Sequence, residues 1–356
     1  LEGRRAEGAP GEGAGRGHDA VGVRHGDAAG PPHRHRLEVL RGEDGAEPPP
    51  AGVPPVVPEV REGYARLPRR AAGHGADPGV PQRRAAPVLG LPRRELYLQR
   101  GRTLSDEEWP RLEQWLARRA SGEPAQYITG RAAFRHLDLM VTRDVLIPRP
   151  ETEGLVEAVL EVLRAQAARW PVPRVLDLGT GSGAIALALA SEWPAAIVTA
   201  IDRSADALAV ARANAHALGL GACVRLLEGD WFEPLPPDQK FEVVVSNPPY
   251  IATREWDELP DDVRRFEPQQ ALFAGASGLD ALLEIVDESP RHLVAGGLLA
   301  LELAERRAEE VAGWFEGARD WEDVVLRDDL AGRPRYLLAR RQRGPAIAPA
   351  QWEEER

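Results

Sequence analysis

Cysteine, lysine and methionine are nearly absent from this chain of 356 residues, each occurring once, as Cys223, Lys240 and Met140. A single cysteine excludes an internal disulfide framework and any zinc site built on cysteines, and it fits a reducing cytoplasm. No apolar run approaches the ~20 residues that cross a bilayer, so no membrane association is expected. The first residues are charged and glycine-rich with no apolar h-region, so no secretory signal is expected either. A basic face is also lacking. Residues 1–85 carry 13 Arg against 12 acidic residues, and residues 86–356 carry a net charge of −12. Neutralised phosphates supply most of the affinity of nucleic-acid binders, so an acidic main body argues against a duplex substrate.

The first 85 residues differ from everything after them. Gly, Ala, Pro and Arg fill 54 of these positions, and there is no Ser, Thr, Asn, Ile, Phe or Trp. So few large apolar groups cannot offset chain entropy, and the segment reads as disordered or as an out-of-frame stretch of GC-rich DNA. Its five histidines (His18, His25, His33, His35, His74) lack the spacing of a metal site and follow from composition.

What is there begins near Ala86. Leu89, Leu91, Leu96 and Tyr97 open a helical pattern, and Ser105 with Glu108 forms a capping box for a helix whose apolar face holds Trp109, Leu112, Trp115 and Leu116. Alternation from Ala133 to Ile147 predicts a β-hairpin, and Pro148 and Pro150 precede a helix over 152–166. The reading therefore divides the chain into a low-complexity segment (1–85), a helical domain (86–132), a hairpin linker (133–150), a large α/β domain (151–342) and a tail (343–356).

Over 172–342, short apolar runs alternate with helical patterns. This predicts a parallel sheet covered by helices on both faces, with the terminal strand–turn–strand around Gly332 adding one antiparallel strand. Ligands of such sheets sit outside the carboxyl ends of the strands. The first strand (174–178) runs into Gly179-Thr180-Gly181-Ser182-Gly183, where glycines let the backbone turn and approach a ligand closely. Asp202 ends the next strand, 25 residues past Asp177, where an acid can accept ribose hydroxyls. The loop also satisfies the dinucleotide pattern G-x-G-x-x-A, so a nicotinamide oxidoreductase stays open on this evidence alone. Asp177 before the loop, with no arginine in it, favours a cationic amino-acid ligand such as S-adenosyl-L-methionine over a pyrophosphate.

Asn247-Pro248-Pro249-Tyr250 directly follows the fourth strand. The Asn247 amide carbonyl and the Pro248 backbone carbonyl can together accept both hydrogens of a planar NH₂ group. Consecutive prolines stiffen that loop, and Tyr250 can stack on the flat group being modified. Trp231, after Gly229-Asp230, is placed to pack on adenine, with Asp230 near the adenine amino group. Arg149 and Glu151, in Pro148-Arg-Pro-Glu151, are candidates for the substrate entrance.

Asp177-Leu-Gly-Thr-Gly-Ser-Gly183 with Asn247-Pro-Pro-Tyr250 resembles the class I S-adenosylmethionine-dependent methyltransferases that act on planar NH₂ groups. Gly122-Glu-Pro-Ala-Gln-Tyr-Ile-Thr-Gly130, Val145-Leu-Ile-Pro-Arg-Pro-Glu-Thr-Glu153, and Glu267-Pro268 with Ala271-Leu272 are similar to the HemK/PrmC family, over roughly Ala86 to Arg341. The resemblance implies N5 methylation of the glutamine in the Gly-Gly-Gln motif of peptide chain release factors, by a cytoplasmic monomer. It implies a seven-stranded, doubly wound sheet with its last strand antiparallel, plus a small helical N-terminal domain. It also implies that Asp177, Gly179, Thr180, Gly181, Ser182, Gly183, Asp202, Asp230, Trp231 and Asn247 meet the cofactor. Asn247, Pro248, Pro249 and Tyr250 would hold the glutamine. The family's helical domain begins with further amphipathic helices where this chain has its Gly/Ala/Pro/Arg-rich segment, so the recognition domain reads as incomplete. A ribosomal-protein glutamine methyltransferase and an adenine-N6 nucleic-acid methyltransferase are the alternatives; the second would use the same chemistry on a flipped base.

Overall fold

The computed structural model describes residues 105–343. The readings made for 1–85, for the helical pattern over 86–104 and for the tail beyond 343 lie outside these residues.

Helix α1 (Glu108–Ala120) starts as its capping box requires. Ser105 N donates to Glu108 Oε2 at 2.9 Å, and Glu108 N donates to Ser105 Oγ at 3.2 Å. A short α2 (Ala125–Thr129) ends at Gly130, whose φ of 70° suits glycine, and leads into the hairpin β1 (Arg131–Phe134) and β2 (Leu137–Met140). The hairpin is shorter than the predicted 133–147, because the chain beyond Met140 leaves the ladder. There Val145 and Ile147 bury themselves with Ala207 and Val210 instead of pairing. Pro148 and Pro150, which have no N–H to donate, bar any return to a strand.

The remaining elements are α3 (Thr152–Ala165), β3 (Arg174–Leu178), α4 (Ala184–Glu192), β4 (Ile197–Asp202), α5 (Ala205–Ala217), β5 (Val224–Glu228), β6 (Phe241–Ser246), α6 (Asp261–Phe266), α7 (Asp280–His292), β7 (Leu293–Glu302), α8 (Ala308–Gly313), β8 (Trp321–Asp328) and β9 (Pro334–Arg341). Strands β3 to β9 form one seven-stranded sheet in the order β5-β4-β3-β6-β7-β9-β8. All neighbours are parallel except β9, which runs antiparallel to both β7 and β8. The last strand is thus antiparallel as predicted, but it is inserted between β7 and β8 instead of forming the edge.

Alternating side chains feed two cores, one on each face. Val175, Val243, Val245, Leu298, Ala300 and Leu338 pack with α3 and α4. Leu176, Leu178, Val244, Leu299, Leu301 and Leu337 pack with α7 and α8. Two boundaries moved from the sequence reading. Strand β7 begins at Leu293, five residues before the predicted 298, because Gly296 takes a φ of 74° and the ladder continues past it. The helix predicted over 304–315 is a 3₁₀ turn, Glu305–Arg307, followed by the short α8.

Among the described residues, no helix is long and apolar enough to cross a membrane.

Candidate active site

Strand pairing brings the two motifs together. Strand β3 pairs with β6 so that Leu178 faces Ser246, and the residues that follow are Gly179 and Asn247. Gly179, Gly181 and Gly183 have φ values of 72°, 56° and 84°, a region where a Cβ is strained, and Gly183 caps α4. Glycine is favoured at these turns by geometry alone.

A cavity of about 290 Å³ opens at these carboxyl ends. Gly179, Gly181, Asp202, Asp230, Trp231, Asn247 and Pro249 line it. Asp202 also braces the loop, its carboxylate accepting from Gly181 N at 2.8 Å and from Ser204 N at 2.9 Å. Burial pushes its pKa up, opposed by these N–H donors. With two oxygens, a carboxylate keeps acceptor positions for a further donor. Trp231 adopts a φ of 39° and lies against Gly179.

Asp177 lies behind this wall. Its carboxylate is fully buried and accepts from Thr180 Oγ1 at 2.6 Å and from Ala186 N at 3.2 Å, so it braces the glycine loop. Burial pushes its pKa up to about 7, and its Oδ1 has no partner among the described residues. Thr180 and Ser182 are buried too, and neither they nor Gly183 line the cavity.

Asn247 stands between two groups of residues. On one side is the cavity. On the other, its Nδ2 donates to Thr152 Oγ1 at 3.1 Å, which leaves Oδ1 as the amide's acceptor. Tyr250 and Pro248 do not line the cavity. Tyr250 is half-buried, and its hydroxyl pKa is raised by burial first and by Glu302 next. Arg149 reaches the buried carboxylate of Glu267 at 2.6 Å, clamping the linker to the segment after α6. The backbone carbonyl of Glu151 accepts from Tyr336 Oη at 2.5 Å. Neither lines the cavity; both act as ties, and Glu151 also opens α3 as its N-terminal cap.

The sequence reading did not find the segment over 251–279 that closes the cavity. After Tyr250 the chain makes a 3₁₀ turn (Thr253–Glu258) and α6, then returns beside itself, with Ile251 bridging Phe273 and Ala274 N donating to Ile251 O at 3.0 Å. Gln270, Phe273 and Gly275 from this return line the cavity, as do Asp144 and Leu146 from the linker and Asp280 and Glu284 from α7. Gln270 and Phe273 flank the Ala271-Leu272 motif, which was the one signal available.

The cavity wall carries five carboxylates, Asp144, Asp202, Asp230, Asp280 and Glu284, against one cation, Arg203. That balance repels a pyrophosphate and attracts a cationic ligand. A glycine loop, a strand-end acid with acceptor positions to spare and an aromatic side chain complete a lining suited to an adenosyl group carrying an ammonium and a sulfonium. Among the described residues, no group of three or more His, Cys, Asp and Glu side chains could hold a metal ion.

Fold and site define a methyltransferase built on the class I sheet, and residues 156–260 match the methyltransferase small domain family. Residues 83–130 match the PrmC N-terminal domain. A Koribacter versatilis protein named release factor glutamine methyltransferase is 42% identical over 253 residues, 71% of this chain and 87% of that one. One of the same name from Bordetella pertussis is 44% identical over 261 residues, covering 72% and 94% of the two chains. Another, from Geobacter sulfurreducens, is 45% identical over 228 residues, covering 64% and 77%. The chain belongs to the release factor glutamine methyltransferase family.

Proposed function

We propose that this enzyme transfers a methyl group from S-adenosyl-L-methionine to the side-chain amide nitrogen, N5, of the glutamine in the Gly-Gly-Gln motif of peptide chain release factors. The carrying observation is Asn247, which borders the acidic cavity while its Nδ2 is committed to Thr152, leaving Oδ1 free to accept. The names of the relatives supply the substrate class.

Asp202, Asp230, Trp231 and the glycine loop would hold the cofactor, which when bound supplies an electrophilic methyl group on a sulfonium. Asn247 Oδ1 and the Pro248 carbonyl accept the two hydrogens of the glutamine NH₂ and orient its nitrogen. An amide lone pair is delocalised, so this orientation is the chief contribution the protein can make. In-line positioning of two reactants is worth up to ~7–11 kcal/mol of barrier when the geometry is good. A neutral sulfide leaves readily, so no strong general base is required, and the nitrogen sheds its proton after transfer. The segment 86–132 would receive the release factor, in the cytoplasm where translation ends.

The test is mass spectrometry of a release factor after incubation with the enzyme and S-adenosyl-L-methionine, with Asn247→Ala and adenine-rich DNA in parallel. One methyl group on the Gly-Gly-Gln glutamine, absent with Asn247→Ala, is the expected result. Methylated DNA beside an unmodified release factor would move the reading to adenine-N6 chemistry.

A further inference from the structure

Behind Asn247 lies a chain of two buried groups to which the reading above gives no role. Thr152, the first residue of α3, and Glu302, the last residue of β7, are 5% and 1% exposed. The Thr152 hydroxyl favours the ionised form of the Glu302 carboxylate beside it, and it accepts Asn247 Nδ2–H at 3.1 Å. Register explains the meeting: Leu301 of β7 faces Ser246 of β6, so Glu302 and Asn247 leave adjacent strands side by side. Glu302 Oε2 has no hydrogen-bond partner among the described residues. A buried carboxylate with half its capacity unused is costly to keep unless it serves another purpose.

We propose that Glu302 and Thr152 are positioning residues that set the polarity of the Asn247 amide, keeping its carbonyl oxygen turned to the substrate nitrogen. This rests on the assignment of Asn247 as the acceptor for the glutamine NH₂. An ionised carboxylate only accepts. The Thr152 hydroxyl hydrogen is therefore committed to Glu302, and its oxygen can only accept from Asn247. The Asn247 group facing Thr152 must then be its NH₂, which leaves Oδ1 on the opposite side. If Glu302 is protonated, it can donate to Thr152 instead. Thr152 can then either accept from Nδ2–H or donate to Oδ1, and the two amide orientations become comparable in energy.

Burial raises the Glu302 pKa to about 7, so the carboxylate forms as pH rises through that value. The titratable and charged groups that bear on it are Arg335 and Tyr336 of β9, Arg149 and Glu151 before α3, and Tyr250 after β6. The two arginines favour the ionised form, whereas Glu151 opposes it.

The experiment measures kcat on a release factor against pH for the wild-type chain, Thr152→Val, Thr152→Ser, Glu302→Gln and Asn247→Ala. Equilibrium binding of S-adenosyl-L-methionine and thermal melting are followed in parallel. Thr152→Val keeps the shape of the side chain and removes the hydroxyl. It should lower kcat about 10–100-fold, less than the ~10²–10³ expected on removing the Asn247 contact itself, with cofactor binding and melting little changed. Thr152→Ser, which restores the hydroxyl, should recover most of the loss. The wild-type kcat should fall on the acid side of pH 7, and Glu302→Gln, whose amide both donates and accepts, should be slower without that acid limb. A Thr152→Val enzyme as fast as wild type, beside an inactive Asn247→Ala, overturns the relay and leaves the role of Asn247 standing. An acid limb that persists in Glu302→Gln belongs to another group and also overturns it. Full activity of Asn247→Ala would overturn the acceptor assignment, and the relay with it.

Discussion

Ser246 and Leu178 face each other across the centre of the sheet, and the Ser246 hydroxyl donates to the Leu178 carbonyl at 2.7 Å. This bond joins the ends of the two strands that carry the chemistry. One residue further along each strand stand Gly179, which opens the glycine loop, and Asn247, and both line the cavity. Ser246 is completely buried, so the hydroxyl meets no competing water. The adjacency of the glycine loop and the Asn247-Pro-Pro-Tyr250 turn is therefore a matter of β register.

Asp202 braces the glycine loop and lines the cavity. Asp202→Ala removes the acceptor for Gly181 N and Ser204 N together with any ribose contact. Hydrogen bonds to a charged group are worth about 1.5–3 kcal/mol, so affinity for S-adenosyl-L-methionine should fall about 10–100-fold in calorimetry. Unchanged affinity would remove Asp202 from the binding site.

Gly183 tolerates no side chain. Its φ is 84°, and a Cβ there would lie 2.9 Å from Leu187 Cδ1. Gly183→Ala should cost about 1–2 kcal/mol from the left-handed conformation alone, more once Leu187 shifts, read as a lower urea midpoint. Gly313→Ala provides the comparison, because a Cβ there meets nothing within 4 Å and its φ is not positive.

Asp177 makes stability depend on pH. Its pKa rises from 3.8 to about 7 on folding, chiefly through burial. Between these values the folded chain holds a proton that the unfolded chain has lost, so stability falls as pH rises through this window and levels off above about 7. Asp177→Asn, which cannot ionise, should lose less stability between pH 4 and pH 8 than the wild-type chain in denaturant titrations. Equal slopes for the two proteins would contradict this.

The Arg149–Glu267 pair ties the linker to the segment that closes the cavity. The side chain of Glu267 is 2% exposed and that of Arg149 33%. Arg149→Ala strands a buried carboxylate, whereas Glu267→Gln leaves an uncharged acceptor for the guanidinium. The first should destabilise more than the second, by about 1–3 kcal/mol, reduced by the solvent that reaches Arg149. Denaturant midpoints at neutral pH would decide it.

The motifs, their placement at strand ends and the alternating α/β order were legible because each depends on local chemistry. Glycine marks backbone that turns left-handed, prolines end pairing, and apolar runs of five residues mark strands buried on both faces. What escaped was the segment over 251–279. It has no long apolar period, and its conformation depends on contacts far along the chain, such as Glu255 with Arg306 and Arg307. Thr152 and Glu302 escaped for the same reason, since a threonine at a helix start and a glutamate at a strand end are ordinary when read alone.

The sequence by itself determined the residue types at the site: glycines where φ is positive, Asp202 at a strand end, and the stiff Asn247-Pro248-Pro249-Tyr250 turn. It also determined the sheet, because alternating apolar runs and helical periods admit few other arrangements. Only the tertiary structure decided which residues face the cavity and which brace it from behind. Asp177, one residue before the end of β3, and Asp202, the last residue of β4, lie on neighbouring strands, yet one is sealed beneath the glycine loop and the other borders the cavity. Which way a side chain points follows from strand register and from what packs above it, and those are settled by contacts between residues distant in the chain.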